Sequence, residues 1–433
     1  MHKYLLLGLG VGNKSIKNFF DKHNIDYLIY DDNIINKDYN NLDFKNINYI
    51  VKSNGVSNDH YIINSIKELN KDVIVLSDLE LFYRFFKCLS NKKIICVTGT
   101  NGKSTTVTLL KHILNDVNLG GNIGIPLFDF LEDEMLDKDI IIEASSFMGE
   151  NVIDFMPDIS CLLNINPHHL DRHKMLENYI KCKEKIVWKT RDKICYNYDD
   201  LLVRELITKL NCNKISYSKT SLKTDVYIIG SNIYYRENFV LSLKDLNDSL
   251  YEYFNKYIDN LLASIALAIC YDVSLKEIRN KVSTFIPVKH RYEYLGYFWY
   301  NDKKIKVIND SKSTNASSLN MALSKLNVNT LVVCGGKEEN GFELKIEPNS
   351  LKCIKYVLIN GENRFTLKKQ FEKYNVNVIL YENLNILLNN ISLYLDDIDE
   401  IIFSPGSQSY DQVKSFEERG EFFKSKLVKL FNL

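Results

Sequence analysis

Short apolar runs alternate with stretches of helical periodicity along the whole chain. Tyr4–Leu7, Tyr27–Tyr30 and residues 93–97, 139–142 and 159–163 read as strands in the first part. Residues 306–308, 331–334, 356–359 and 400–404 read as strands in the last part. Runs this short, closed by glycine or polar residues, suit strands buried on both faces. Their alternation with helical patterns predicts an α/β fold built on parallel sheets. The C-terminal strand ends carry glycine or polar side chains, which is where open α/β sheets place ligands. A helix is expected from about Ser15, and another over residues 176–189, where Leu176, Tyr179, Ile180, Ile186 and Val187 form one stripe.

Motifs restart twice, so the 433 residues divide into three expected domains: 1–91, 92–288 and 289–433. The first and third read as Rossmann-like, and the second as a phosphate-loop domain. Charge is balanced, with 55 basic and 55 acidic residues, so no basic excess points to nucleic acid. The nine cysteines are scattered without a C-x-x-C pair and read as reduced thiols of a cytoplasmic protein. The N-terminal residues lack the pattern of a signal peptide, and no stretch approaches the ~18 apolar residues that span a membrane.

The sharpest chemistry lies after the strand at 93–97. Gly99, Thr100, Asn101, Gly102, Lys103, Ser104 and Thr105 follow a strand and open a helix. Glycines admit phosphate oxygens to backbone N–H groups, the helix start favours anions, a lysine neutralises them and a hydroxyl reaches Mg²⁺. The first glycine of the standard phosphate loop is replaced by Val97, so this is a shortened variant. Glu143 ends the strand at 139–142 and is either a Mg²⁺ ligand or an ordinary loop acid. His168, His169 and His173 have no cysteine nearby and no H-E-x-x-H spacing, which argues against structural zinc. Lys183 lies on the apolar stripe of its helix. Helical geometry alone admits a lysine that snorkels over apolar surface, or a buried amine with a lowered pKa that reacts with CO₂.

Near the N-terminus, Gly8, Gly10 and Gly12 with Asp31 or Asp32 also fit a dinucleotide turn, but Asn13 stands where the third glycine is needed. No hydride-transfer constellation follows it.

Taken in order, these pieces resemble the Mur ligase family over nearly the whole chain. The shared signs are residues 99–105, Gly121-Asn122-Ile123-Gly124, Glu143 with Ser145-Ser146-Phe147, and His169-Leu170-Asp171-Arg172. His290-Arg291-Tyr292-Glu293, the run 309–315, and the segment 404–420 resemble the branch that adds D-glutamate. The resemblance implies an ATP-dependent ligase that joins D-glutamate to UDP-N-acetylmuramoyl-L-alanine through an acyl phosphate, in peptidoglycan precursor synthesis. The alternative is another Mur-type or folylpolyglutamate-type ligase with a different amino acid. It implies ATP as co-substrate, two Mg²⁺ ions, a cytoplasmic monomer, and no nucleic acid or membrane partner.

Residue by residue, the resemblance places Lys103, Glu143, His169 and Lys183 at the reacting groups, with Lys183 carbamylated. Ser104, Glu143, His169 and Lys183 would face metal. Residues 99–105, Asn260, Arg291 and Asp310 match ATP-binding positions. Ser15, Asp31, Ser53, Gly55 and Asn122 match the UDP-linked substrate, and Lys312, Thr314, Ser409 and Phe416 match D-glutamate. The chain departs from the family pattern at Gly12-Asn13, Asn54, Met148-Gly149, His168 and Tyr257. The family's basic residue for the side-chain carboxylate falls near Glu339, which leaves Lys337 as a displaced replacement.

Overall fold

The computed structural model describes residues 3–33, 44–324, 326–337 and 342–431. Its strands form three separate sheets, and the described residues group into two compact units. Residues 1–243 with 257–285 make the first unit, and residues 244–256 with 286–433 make the second.

In the first unit, β1 (Tyr4–Leu7), β2 (Tyr27–Tyr30), β3 (Tyr49–Lys52) and β4 (Ile74–Ser77) form a parallel sheet in the order β2-β1-β3-β4. The strand order reverses between β1 and β3, so the loops after these two strands diverge and leave a crevice. The helix Val11–Lys22 starts four residues before the expected Ser15. Gly10 is its extended cap, and Asn13 Nδ2 donates to Leu7 O, Gly8 O and Val51 O, which pins the first turn to two strand ends. Strands β3 and β4 were not among those read from the apolar runs.

The second sheet of this unit holds β5 (Ile94–Thr98), β6 (Asn118–Gly121), β7 (Ile140–Glu143), β8 (Ile159–Leu162), β9 (Lys193–Asn197), β10 (Asn213–Ser218), β11 (Val226–Ile229), β12 (Asn232–Tyr235) and β13 (Asn238–Ser242). The order is β13-β12-β11-β10-β9-β8-β5-β7-β6. It is parallel from β6 to β11, then closes with an antiparallel meander through β12 and β13. The meander departs from the purely parallel expectation. Strand β5 sits between β7 and β8, so its end meets the ends of both. Its residues are fully buried, as an all-apolar run demands.

The second unit carries β14 (Glu293–Tyr300), β15 (Lys303–Asn309), β16 (Thr330–Gly335), β17 (Ile354–Asn360), β18 (Val378–Leu380) and β19 (Glu400–Phe403). The order is β14-β15-β19-β16-β17-β18, parallel except for the β14–β15 hairpin. Residues 244–256 join this unit: Glu252 pairs with Lys306 at 2.9 Å, and Lys256 Nζ donates to Ala322 O. The helix Phe416–Phe431 packs Phe423 on Phe403, with ring centroids 4.4 Å apart. All nine cysteines are free thiols. No helix among the described residues is long and apolar enough to cross a membrane.

Candidate active site

The glycine turn after β5 leads into the helix Lys103–Leu114, whose cap Gly102 has φ +84°. Only glycine adopts that conformation without strain, and a Cβ there would collide with the Asn260 amide nitrogen. The turn is held from outside. Asn164, at the end of β8, accepts from Asn101 N at 2.8 Å and donates to Asn101 O at 3.0 Å. Thr100 Oγ1 lies 2.9 Å from Tyr179 OH. The sequence reading missed Asn164 and Tyr179. Their signal was a polar residue at the end of a strand next to β5, and a tyrosine on the stripe that carries Lys183.

Two lysines converge on one carbonyl. Lys103 Nζ donates to Gly99 O and Thr100 O, each at 2.9 Å, and Lys183 Nζ donates to Gly99 O at 2.8 Å. Lys183 is 1% exposed, with its ammonium over the Tyr179 ring. Burial, then the Lys103 charge, lowers its pKa well below the usual lysine value. Burial lowers Lys103 as well, opposed by the charge of Glu143.

Glu143 ends β7 and is 1% exposed. Its Oε1 accepts from Asn122 Nδ2 at 3.0 Å, while Oε2 is buried without a hydrogen-bond partner. Thr105 Oγ1 is likewise buried and unpartnered, one residue past the half-buried Ser104. A carboxyl oxygen and a hydroxyl left unsatisfied beside a phosphate loop fit a Mg²⁺–nucleotide complex. The described residues hold no group of three or more His, Cys, Asp or Glu able to hold an ion alone.

His169 has left-handed backbone and caps the short helix Leu170–His173. Its ring lies 4.8 Å from Phe147 and 3.8 Å from His168. Partial burial, then the neighbouring His168, pushes its pKa down to about 4. The imidazole is therefore neutral at pH 7. Asn260 donates to Gly102 O and Thr106 Oγ1, so it braces the glycine turn.

A cavity of about 420 Å³ opens at the crevice between β1 and β3. Gly10, Gly12, Ser53, Asn54, Gly55 and Asp78 line one part, and Gly121 to Gly124 with Pro126 line another. Asn122 therefore faces this cavity while bonded to Glu143, which links it to the phosphate loop. Ser15 does not line the cavity; its hydroxyl donates to Asp129 at 2.5 Å. Asp31 does not line it either. It accepts from Leu9 N and Asn33 N, and these bonds hold its carboxyl below the usual range. Asp78 was not singled out in the sequence; burial pushes its pKa up to about 6.

A buried ion cluster fastens the Ser53–Val56 turn. Lys52 Nζ binds Glu150 at 2.7 Å and Val56 O at 2.8 Å. Arg172 binds Glu150 at 2.9 Å, Gly55 O at 3.2 Å and Val56 O. Burial opposes ionisation of Glu150, but Arg172 and Lys52 outweigh it and hold the carboxyl below its usual range.

In the second unit, Asp310 is buried at the end of β15. It accepts from Tyr292 N and Ser404 Oγ, each at 3.0 Å, and burial pushes its pKa up to about 6. Arg291 is half-buried and acts electrostatically on Asp310. Lys312 is exposed, with its ammonium 5.7 Å from the Phe416 ring centre. Burial, then the Arg291 charge, lowers its pKa. Thr314 is half-buried, Ser409 is buried, and Lys337 is exposed with its N–H on Gln408 O. The position near Glu339 lies outside the described residues.

A run of parallel strands in which an inner strand ends in a glycine turn that opens a helix, with a buried carboxylate on the next strand, defines an α/β nucleotide-binding protein of the phosphate-loop class. Residues 97–268 match the Mur ligase middle domain. A protein of Hydrogenobaculum sp. (strain Y04AAS1), named UDP-N-acetylmuramoylalanine--D-glutamate ligase, is 33% identical over 396 residues, covering 89% of this chain and 89% of that protein. A protein of the same name from Fusobacterium nucleatum is 31% identical over 448 residues and covers 100% of both chains. The chain belongs to the Mur ligase family. Among solved structures, a UDP-N-acetylmuramate-alanine ligase from Thermotoga maritima superposes with a TM-score of 0.55 at 17% identity, covering 99% of this chain and 100% of that one. A pseudomurein peptide ligase type C from Methanothermus fervidus gives 0.54 at 16%, covering 99% and 100%. These two likenesses support the three-sheet α/β fold.

Proposed function

We propose that the protein is an ATP-dependent ligase that joins D-glutamate to UDP-N-acetylmuramoyl-L-alanine, with ADP and phosphate as products. The observation that carries this is the join at Asn122: one side chain faces the 420 Å³ cavity and bonds Glu143 beside the phosphate loop. A carboxylate presented from the cavity then lies toward the nucleotide's terminal phosphate.

On this reading residues 1–91 bind the UDP-linked substrate, 92–288 bind ATP, and 289–433 receive the amino acid. The substrate carboxylate attacks the γ-phosphorus, ADP leaves, and an acyl phosphate forms. Lys103 and the turn amides stabilise charge on the transferred group. The D-glutamate amine attacks the acyl carbon, the C–O bond to phosphate breaks, and the amine proton is lost. His169, neutral at pH 7, is assigned to the reacting groups. Arg291 and Asp310 are assigned to the nucleotide, and Lys312, Thr314, Lys337, Ser409 and Phe416 to D-glutamate. Ser15 and Asp31 support the UDP-substrate turns through their bonds to Asp129 and Leu9 N.

Ser104, Thr105, Glu143, His169 and Lys183 would hold Mg²⁺, in two sites. Mg²⁺, when bound, neutralises charge on the phosphate oxygens. Lys183, whose burial favours the neutral amine, is suited to add CO₂ with loss of a proton, and the carbamate supplies an anion where the described residues offer few. The protein acts as a cytoplasmic monomer. Phosphate release with D-glutamate, L-lysine, meso-diaminopimelate and L-alanine tests the assignment. D-glutamate should be the preferred amine, and preference for another would replace it with a sister specificity.

A further inference from the structure

Two acids stand two residues apart at the start of the helix Asp78–Leu89, and both are buried. Glu80 is answered in full. Its Oε2 accepts from Ile153 N, Asp154 N and Phe155 N, and its Oε1 accepts from Arg84 Nε. Such an acid braces the fold. Asp78 is bonded far more lightly. Its Oδ1 accepts from Leu79 N at 2.9 Å, but its Oδ2 has only Asn54 Nδ2, at 3.4 Å. No cation pairs with it among the described residues. Lys52 acts on it through space, with its own ammonium on Glu150 and Val56 O. The helix does not need it as a cap, because Ser77 Oγ accepts from Glu80 N. A buried carboxyl left this open costs stability unless a ligand completes it.

Asp78 and Asn54 both line the 420 Å³ cavity. Asn54 Oδ1 is buried without a hydrogen-bond partner. A Cβ at Gly12 would lie 2.8 Å from Asp78 Oδ2, so glycine there leaves this oxygen uncovered. Gly12 and Asn54 are two of the positions at which the chain departs from the family pattern. The cavity wall therefore carries two acceptor oxygens, Asp78 Oδ2 and Asn54 Oδ1, with one long bond between the side chains. Acids kept in such a state cluster at ligand sites.

We propose that Asp78, with Asn54, determines specificity in this cavity by accepting a hydrogen bond from a hydroxyl or amide N–H of the substrate's sugar portion. Asn122, bonded to Glu143 beside the phosphate loop, lines the same cavity, so its occupant is the part of the substrate nearest the reacting carboxylate. An ionised carboxyl offers acceptors only, so this wall takes a donor and refuses an anion. The inference rests on the functional reading above and adds the group that reads the sugar.

The test uses wild type and D78N at about pH 8, above the Asp78 pKa of about 6. In D78N the side-chain oxygen keeps Leu79 N, and an –NH₂ replaces Oδ2. A brace survives that change, whereas an acceptor becomes a donor. KM for UDP-N-acetylmuramoyl-L-alanine should rise about tenfold or more, and KM for ATP should stay within about twofold. Melting of D78N at or above the wild-type temperature separates this loss from unfolding. Analogues methylated singly at a sugar hydroxyl, at the acetamide nitrogen or at uracil N3 locate the donor. One sugar analogue should lose about tenfold in kcat/KM with wild type and little with D78N, while the uracil analogue loses the same factor with both. An unchanged KM in D78N, equal losses in both proteins for every sugar analogue, or coupling at uracil alone overturns the inference while the function stands. If wild type forms no amide from UDP-N-acetylmuramoyl-L-alanine, the functional reading falls and this inference with it.

Discussion

Lys103 and Lys183 donate to the same carbonyl, yet their environments separate them. Lys103 keeps Glu143 as an opposing charge, whereas Lys183 meets burial and a like charge. Lysines so divided suit different tasks, one a phosphate clamp and the other an amine open to carbamylation. K103A should cut ADP formation by about 10³-fold, read by a coupled assay; near-normal turnover would remove the phosphate clamp. K183A should lose about 10²-fold and regain part of it with added short-chain carboxylates. Full activity without them would rule out the carbamate. Asp78 offers a test by pH. Its folded pKa of about 6 lies above the ordinary aspartate value of 3.8, so the native state holds the extra proton between them. Stability from this group is thus lost as pH rises from 4 to 6 and stays lost above. D78N removes that pH-dependent loss, so its stability relative to wild type should improve by about 2–3 kcal/mol between pH 4 and 7. Melting curves with a flat difference across that range would contradict the buried, proton-holding Asp78.

At the scale of elements, the strands that carry chemistry were the legible ones. Residues 93–97 and 139–142 predict β5 and β7 within a residue, because short uninterrupted apolar runs leave little choice. The phosphate turn was equally plain, since Gly102 must take positive φ and Lys103 must open a helix. Strand β3 was hidden because Tyr49–Lys52 ends in a lysine whose burial depends on Glu150, 98 residues away. The early start of the helix Val11–Lys22 was hidden for a similar reason: Asn13 bonds carbonyls of two strands, one of them distant in sequence. Ser15 and Asp31 are singled out by position, and the structure bonds them to Asp129 and Leu9 N, 114 and 22 residues away. Replacing Gly102 by Ala tests the turn as an element. Left-handed strain of about 1–2 kcal/mol, added to the collision with Asn260, should lower ATP turnover more than tenfold. An unaffected rate would show that the turn tolerates a side chain.

Across the whole first unit, the cluster of Lys52, Glu150 and Arg172 joins the cavity turn to the segment that carries His169. Removing the shared carboxylate in E150Q leaves two buried cations facing each other, which should cost about 3–5 kcal/mol and raise KM for the UDP-linked substrate more than KM for ATP. Equal changes in both constants would make the cluster a general brace. The account as a whole rests on coupling, in which the terminal phosphate of a nucleotide is spent on making one amide. The direct measurement is ADP release by the wild-type protein with UDP-N-acetylmuramoyl-L-alanine and D-glutamate supplied together and singly. Sustained ADP release should need both, with one amide formed per ADP. ADP released at the same rate when either is left out would contradict the account.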